Sequence, residues 1–383
     1  MRLRLVSVLL LAVVGTNLHR APRAELQQER AVFPIQADGA NARVSKQWML
    51  RRADGSGLGL IVSAVRCGDA MFLADSEYRV YAFDLRRQAP VRELASDPAV
   101  LGLPLAVTAD CVHHRLYVVT SGSRLVVTVD AQSGVIEHTQ SVPRNISFPQ
   151  GVHLVWPDTV WVSGVFNPTP DVSPYQTRQP DDFFQLLRLG IRVSLGTGAV
   201  SPLFQPYERR CIAAGECVTS NFDRLSGSSE PQWIVEQAIS TRFALYSGNG
   251  RLASTHSTMS PRFVRDGTEL PLGSSATIRL GWLNHNTTIR SVFGVGGLIV
   301  VVHAAFEGSP GEPADNVPIA RPFMNIHDLD GRPLVSDIRL SNLPVGRDDS
   351  NLYVVGRAED RRGPGGSEQQ LMQIPIKRGH QSF

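Results

Sequence analysis

The 383-residue chain predicts an all-β fold: a six-bladed β-propeller of four-stranded antiparallel blades, the last blade closed by an N-terminal strand. Three observations lead there. Ala70 to Asp84 (AMFLADSEYRVYAFD) joins a short apolar run to strictly alternating positions across a polar break, the pattern of two antiparallel strands and a tight turn. Arg115 to Asp130 (RLYVVTSGSRLVVTVD) repeats that grammar almost part for part. Further second strands are expected to start near residues 159, 233, 298 and 352, and the longer gaps hold polar, Pro/Gly-rich insertions. Repeats of this kind stack radially, which buries each sheet against its neighbours and leaves few exposed edges.

Taken in order, the chain starts with a basic Met1-Arg-Leu-Arg4 and an apolar Leu5 to Gly15, the composition of an export leader. That core is shorter than the roughly 20 apolar residues of a membrane span. Residues 1–24 are read as signal peptide and cleavage region, 25–42 as a polar linker, 43–378 as one propeller domain and 379–383 as a tail. The mature chain is expected to be exported, periplasmic or secreted, with no membrane span. The formal net charge of +3 falls close to zero once Arg2, Arg4, Arg20 and Arg23 are removed. No long basic run remains, which argues against nucleic acid as a partner.

The first unit comprises Leu58 to Val65, the Ala70–Asp84 hairpin and Val91 to Leu94. The second takes Leu103 to Ala109, Leu116 to Thr120, Leu125 to Val129 and Val135 to Gln140. The third starts at Pro149-Gln-Gly-Val152 and continues through Val160 to Val165, Phe184 to Val193 and Val200 to Phe204, interrupted by Asn167 to Asp182. In the fourth, Gln205 to Gly227 reads as a loop, ahead of strands at Trp233 to Ala238 and Arg242 to Tyr246 and a turn at Gly248-Asn-Gly250. His256 to Thr288 reads as an insertion with one extra hairpin at Thr277 to Trp282. The fifth has Ser291 to Val295, Leu298 to Ala304 and Pro322 to His327. The last has Leu352 to Gly356 and Leu371 to Ile376 and lacks a fourth strand, which Arg43 to Leu50 can supply.

Four cysteines in a large exported chain permit one or two staples. Cys211 and Cys217 enclose a short loop with Gly215 and are expected to pair. Cys67 and Cys111 occupy matching places in successive repeats, where they either pair or stand as two buried thiols. No C-x-x-C spacing exists, so these four do not read as a zinc site.

Phe148-Pro-Gln-Gly-Val152 before Thr159-Val-Trp-Val162, and Leu116-Tyr-Val-Val119 through Val129-Asp130, resemble blades of the six-bladed propeller superfamily that includes NHL-repeat, TolB-like and gluconolactonase-like proteins. Asp330-Gly331, Leu352 to Val355 and Leu371 to Ile376 are similar to the final blades of exported bacterial six-bladed propellers of unassigned function. The blade pattern usually carries an Asp after the second strand. Asp75 fits; Thr120 and Ser163 depart from it. The resemblance implies a fold rather than an activity. Lactonase-like members hold a divalent cation, such as Ca²⁺, in the central channel. Asp110, Asn221, Asp223 and Asn284-His-Asn286 are available here, but none matches that ligand set residue by residue.

No nucleophile elbow or phosphate loop is present: Gly55-Ser-Gly-Leu-Gly59 precedes a strand, not a helix. Asp328-Leu-Asp-Gly331 is a hairpin turn, because Pro333 and Arg339 stand where a calcium loop needs Gly and Glu. The reading is therefore a non-enzymatic propeller, without cofactor, that binds a protein, peptide or glycan through loops of its third to fifth units. The candidate contacts are Tyr175, Phe183, Tyr207, Phe222 and Trp282. The alternative is a Ca²⁺-dependent lactonase or esterase with its site in the channel, which would need three or four carboxylate and amide groups converging there.

Overall fold

The computed structural model describes residues 44–120, 123–156, 158–169, 186–208, 220–225, 232–237, 240–258, 260, 278, 286–307, 319–357 and 369–376. Among these the fold is all-β, with one turn of helix, α1 (Pro98–Leu101), capped by Asp97. Four sheets of four strands each follow one another along the chain. They are β6 (Pro104–Asp110), β7 (Arg115–Thr120), β8 (Leu125–Asp130) and β9 (Ile136–Ser141); then β10 (Ile146–Trp156), β11 (Thr159–Phe166), β12 (Arg188–Ser194) and β13 (Val200–Pro202). The next are β14 (Ser220–Leu225), β15 (Gln232–Gln237), β16 (Arg242–Ser247) and β17 (Leu252–Ser257); then β18 (Thr288–Val295), β19 (Leu298–Glu307), β20 (Ile319–His327) and β21 (Pro333–Arg339). Within each, every strand pairs antiparallel with the next.

The remaining strands form one eight-stranded sheet. One half holds β2 (Ile61–Cys67), β3 (Ala70–Asp75), β4 (Val80–Asp84) and β5 (Arg92–Ala95); the other holds β22 (Pro344–Arg347), β23 (Asn351–Arg357), β24 (Gln369–Pro375) and β1 (Lys46–Leu50). The halves meet through two parallel pairs, Ala64 with Gly346 and Val65 with Arg347. A Cβ at Gly346 would lie 1.9 Å from the Ala64 carbonyl oxygen, so only glycine permits this approach. β1 pairs antiparallel with β24 over five positions, as the N-terminal closure anticipated. Trp48 anchors it: its side chain is buried and its indole N–H donates to the Leu85 carbonyl at 3.0 Å.

The core lies between sheets. Tyr117, Val119 and Val126 of one sheet pack on Val160, Val162, Ile191 and Val193 of the next. Trp161 and Leu189 pack on Trp233 and Tyr246, Phe243 and Leu245 on Ile299 and Val301, and Val300 and Met324 on Val354 and Ile374. Tyr353 and Leu371 pack on Leu73, Tyr81 and Phe83, and Phe72 and Val80 on Val118 and Val127. That circuit returns to its start. The fold is a β-propeller.

Four strands differ from the sequence reading: β17 and β21 complete their sheets where no strand was named, and β17 takes in His256, read as the start of an insertion. The loop expected over Gln205 to Gly227 contains β14, and β22 precedes β23 where no strand was expected. Cys67 and Cys111 are joined by a disulfide linking the C-terminal ends of β2 and β6. Cys211 and Cys217 lie outside the described residues.

Candidate functional site

The first strand of each sheet, together with β2 and β22, lines a central channel with a cavity of about 450 Å³. These inner strands run the same way. The Cys67–Cys111 bridge joins two C-terminal ends, and Gly294, near the end of β18, donates its N–H to Asp223 of β14 at 2.9 Å. A Cβ at Gly294 would sit 2.4 Å from the Arg224 carbonyl oxygen, so glycine sets that spacing too.

Because chain reversals alternate ends in an antiparallel sheet, the connections after second and fourth strands share one end of the disc. The long stretches between β11 and β12, β13 and β14, β17 and β18, β19 and β20, and β23 and β24 all fall in that class. The opposite end carries short hairpins: Gly248-Asn-Gly250 closes β16 to β17, and Asp328 closes β20 to β21 by accepting the N–H groups of Asp330 and Arg332.

Toward the short-turn end an ion pair spans the channel. Arg347 Nε donates to Asp223 Oδ2 at 2.7 Å and Nη2 donates to Oδ1 at 2.8 Å, a two-pronged ion pair from β22 to β14. Burial works to raise the Asp223 carboxyl, but Arg347 outweighs it and holds it below the usual carboxylate range. His153 Nδ1 stands 3.5 Å from Asp223 Oδ1, with its ring against Phe222 and Trp233; burial lowers the imidazole, against the pull of Asp223. Beside this pair Arg66 donates to Asp348 Oδ2 at 2.9 Å and to the Tyr353 hydroxyl, which itself donates to Asp348.

The oxygen donors do not fit a lactonase-type cation. Both Asp223 oxygens face Arg347, one also taking the Gly294 N–H, and a guanidinium occupies the space a metal would need. Asp110 instead caps its own turn through the N–H groups of Val112 and His113 and bonds His113 Nδ1 at 2.7 Å. Among the described residues no three His, Cys, Asp or Glu side chains gather as a metal site.

Of the five aromatic candidates, Tyr175, Phe183 and Trp282 lie outside the described residues. Phe222 is not on a rim loop. It is 1% exposed on β14, edge-on to Trp233 and Phe204. Tyr207 is half-buried, donating its hydroxyl to the Arg242 carbonyl and accepting the Gln237 N–H, so it fastens the segment after β13 to the blade. The alternation of Asn221, Asp223 and Leu225 around Phe222 was the available signal for β14.

No protein-family model matches the sequence, and no curated protein does. Solved structures share the fold. A member of the DUF4221 family from Bacteroides vulgatus superposes with a TM-score of 0.60 at 9% identity, covering 88% of this chain and 98% of that one. A protein from Bacteroides fragilis described as exported gives 0.51 at 9% identity, covering 86% and 95%. Likeness at this identity establishes architecture alone. No helix among the described residues is long and apolar enough to cross a membrane.

Proposed function

We propose that the chain is an exported, six-bladed propeller that binds a protein, peptide or glycan through one face of the disc and performs no chemistry itself. The observation that carries this reading is that the long connections of the third to fifth units all start and finish at the same end of the strands. A rigid ring whose long connections leave and return at one end of the strands suits recognition. The count of six treats the eight-stranded sheet as two blades. Its halves share only two parallel pairs and are packed face to face by Tyr353 and Leu371 against Tyr81 and Phe83. The Cys67–Cys111 bridge suits an oxidising compartment, in keeping with the leader at residues 1–24, the linker at 25–42 and a single domain over 43–378. Tyr175, Phe183 and Trp282 remain the proposed contacts on that face.

The test uses the mature chain on defined glycan and peptide arrays, beside variants in which 170–185 or 308–318 is replaced by a short Gly-Ser linker. Array binding that disappears in those variants at unchanged melting temperature supports the reading. Lactone or ester hydrolysis that is abolished by chelator and restored by Ca²⁺ would replace it with the hydrolase alternative.

A further inference from the structure

We propose that the half of the channel nearest the long connections is a binding site for a small monoanionic carboxylate, held by Arg290. This does not rest on the loops acting as a recognition surface. The cavity of about 450 Å³ falls within the roughly 300–1,000 Å³ of small-molecule sites. The Asp223–Arg347 pair lies in its far half, so Arg290 faces the half nearest the long connections.

Charge selects the ligand. The lining carries four arginines, Arg66, Arg224, Arg290 and Arg347, against three aspartates, Asp223, Asp348 and Asp349, which leaves one surplus positive charge. Arg66 is paired with Asp348, and Arg347 with Asp223. Arg290, near the start of β18, makes no hydrogen bond or ion pair among the described residues. A guanidinium lining a partly enclosed cavity recognises planar carboxylates by two parallel N–H bonds. A dianion such as phosphate would exceed that single surplus charge.

The nearby acid, Glu236, does not fill the ligand's place, since it makes no ion pair or hydrogen bond with Arg290. Glu236 pairs with Asn221 in the sheet register and is 1% exposed, with Oε2 lacking a hydrogen-bond partner. Burial raises its carboxyl well above the usual range, against the opposing pull of Arg290 and the Asn221 N–H. Asn221 and Ser291 add neutral polar groups around Arg290, and Val62 and Val345 add apolar wall.

The experiment titrates the mature chain with N-acetyl-L-phenylalanine and with D-glucuronate, each against its uncharged partner, the amide or the methyl ester. Binding is read by saturation-transfer NMR and calorimetry. At least one acid is expected to bind, its neutral partner at least about tenfold more weakly; Arg290→Gln should lose about tenfold or more, and Arg290→Lys less. Equal binding of acid and neutral partner, binding undiminished in Arg290→Gln, or no binding by either acid would overturn the proposal. The comparison of acid with neutral partner on the unmodified chain stands even where Arg290→Gln fails to fold.

Discussion

Arg347 and Asp223, 124 residues apart, face each other across the channel and exchange two hydrogen bonds of 2.7 and 2.8 Å. The Gly294 N–H completes the Asp223 carboxylate, so one ion pair ties together β14, β18 and β22. The two side chains are only 22% and 4% exposed, which puts the pair in the class where breaking one partner costs far more than removing both.

Replacing Arg347 by Met should therefore destabilise the protein by about 3 kcal/mol, leaving a carboxylate without its counter-charge. Adding Asp223→Asn, which keeps an acceptor for the Gly294 N–H, should recover more than half of that loss. Urea unfolding of the single and double variants measures the coupling. Equal stability of Arg347→Met and the double variant would refute it.

Two buried histidines should work against the folded ring in mild acid. His303 and His327 are buried on β19 and β20, and burial lowers both from 6.5 to about 4. Asp337 faces His303, while Asp328 and His256 lie near His327; the two aspartates pull the other way without prevailing. The unfolded chain binds these protons first, so the histidine contribution is full above about pH 6.5 and falls as pH drops toward 4, by about 2–3 kcal/mol per histidine. Burial raises Asp75 to about 6 and also raises Glu236, and both act in the opposite sense. Asp223, held low by Arg347, adds its own loss only below about pH 4. As pH falls from 6.5 to 4, the melting temperature of the native chain should drop relative to that of His303→Gln/His327→Gln. A difference that stays constant over that range would clear the histidines of this role.

The Cys67–Cys111 bridge closes a loop of 44 residues between neighbouring inner strands. Chain-entropy reasoning gives about 4 kcal/mol for a loop of that length. Cys67→Ser/Cys111→Ser should lose that order of stability in denaturant, and reductant should lower the native chain's midpoint while leaving the variant's unmoved.

Much of the architecture was legible because the second and third strands of the units are almost wholly apolar, as in Leu116 to Val119 and Val160 to Val162, and sit between two sheets. What escaped included the inner wall. β14 (SNFDRL) and β22 (PVGR) face the channel with Asn221, Asp223 and Arg347, so their apolar signal is short and broken by charges. Those are the strands that carry the ion pair. A reading tuned to hydrophobic runs passes over strands whose polar residues are satisfied across the ring, by partners more than a hundred positions away. Phe222 was misplaced for a different reason: it reads as a loop residue until β14 is recognised, and then becomes core.

β1 completes its sheet only by pairing with β24, and Ser45 bonds Gln373 across 328 positions of sequence. During synthesis the first strand made must wait for the last. Until β24 emerges, Lys46–Leu50 is an unpaired edge carrying Trp48, able to pair with β24 of another copy instead of its own. Assembly of this ring is therefore a race between sealing within one chain and strand exchange between two, and dilution during refolding favours the first.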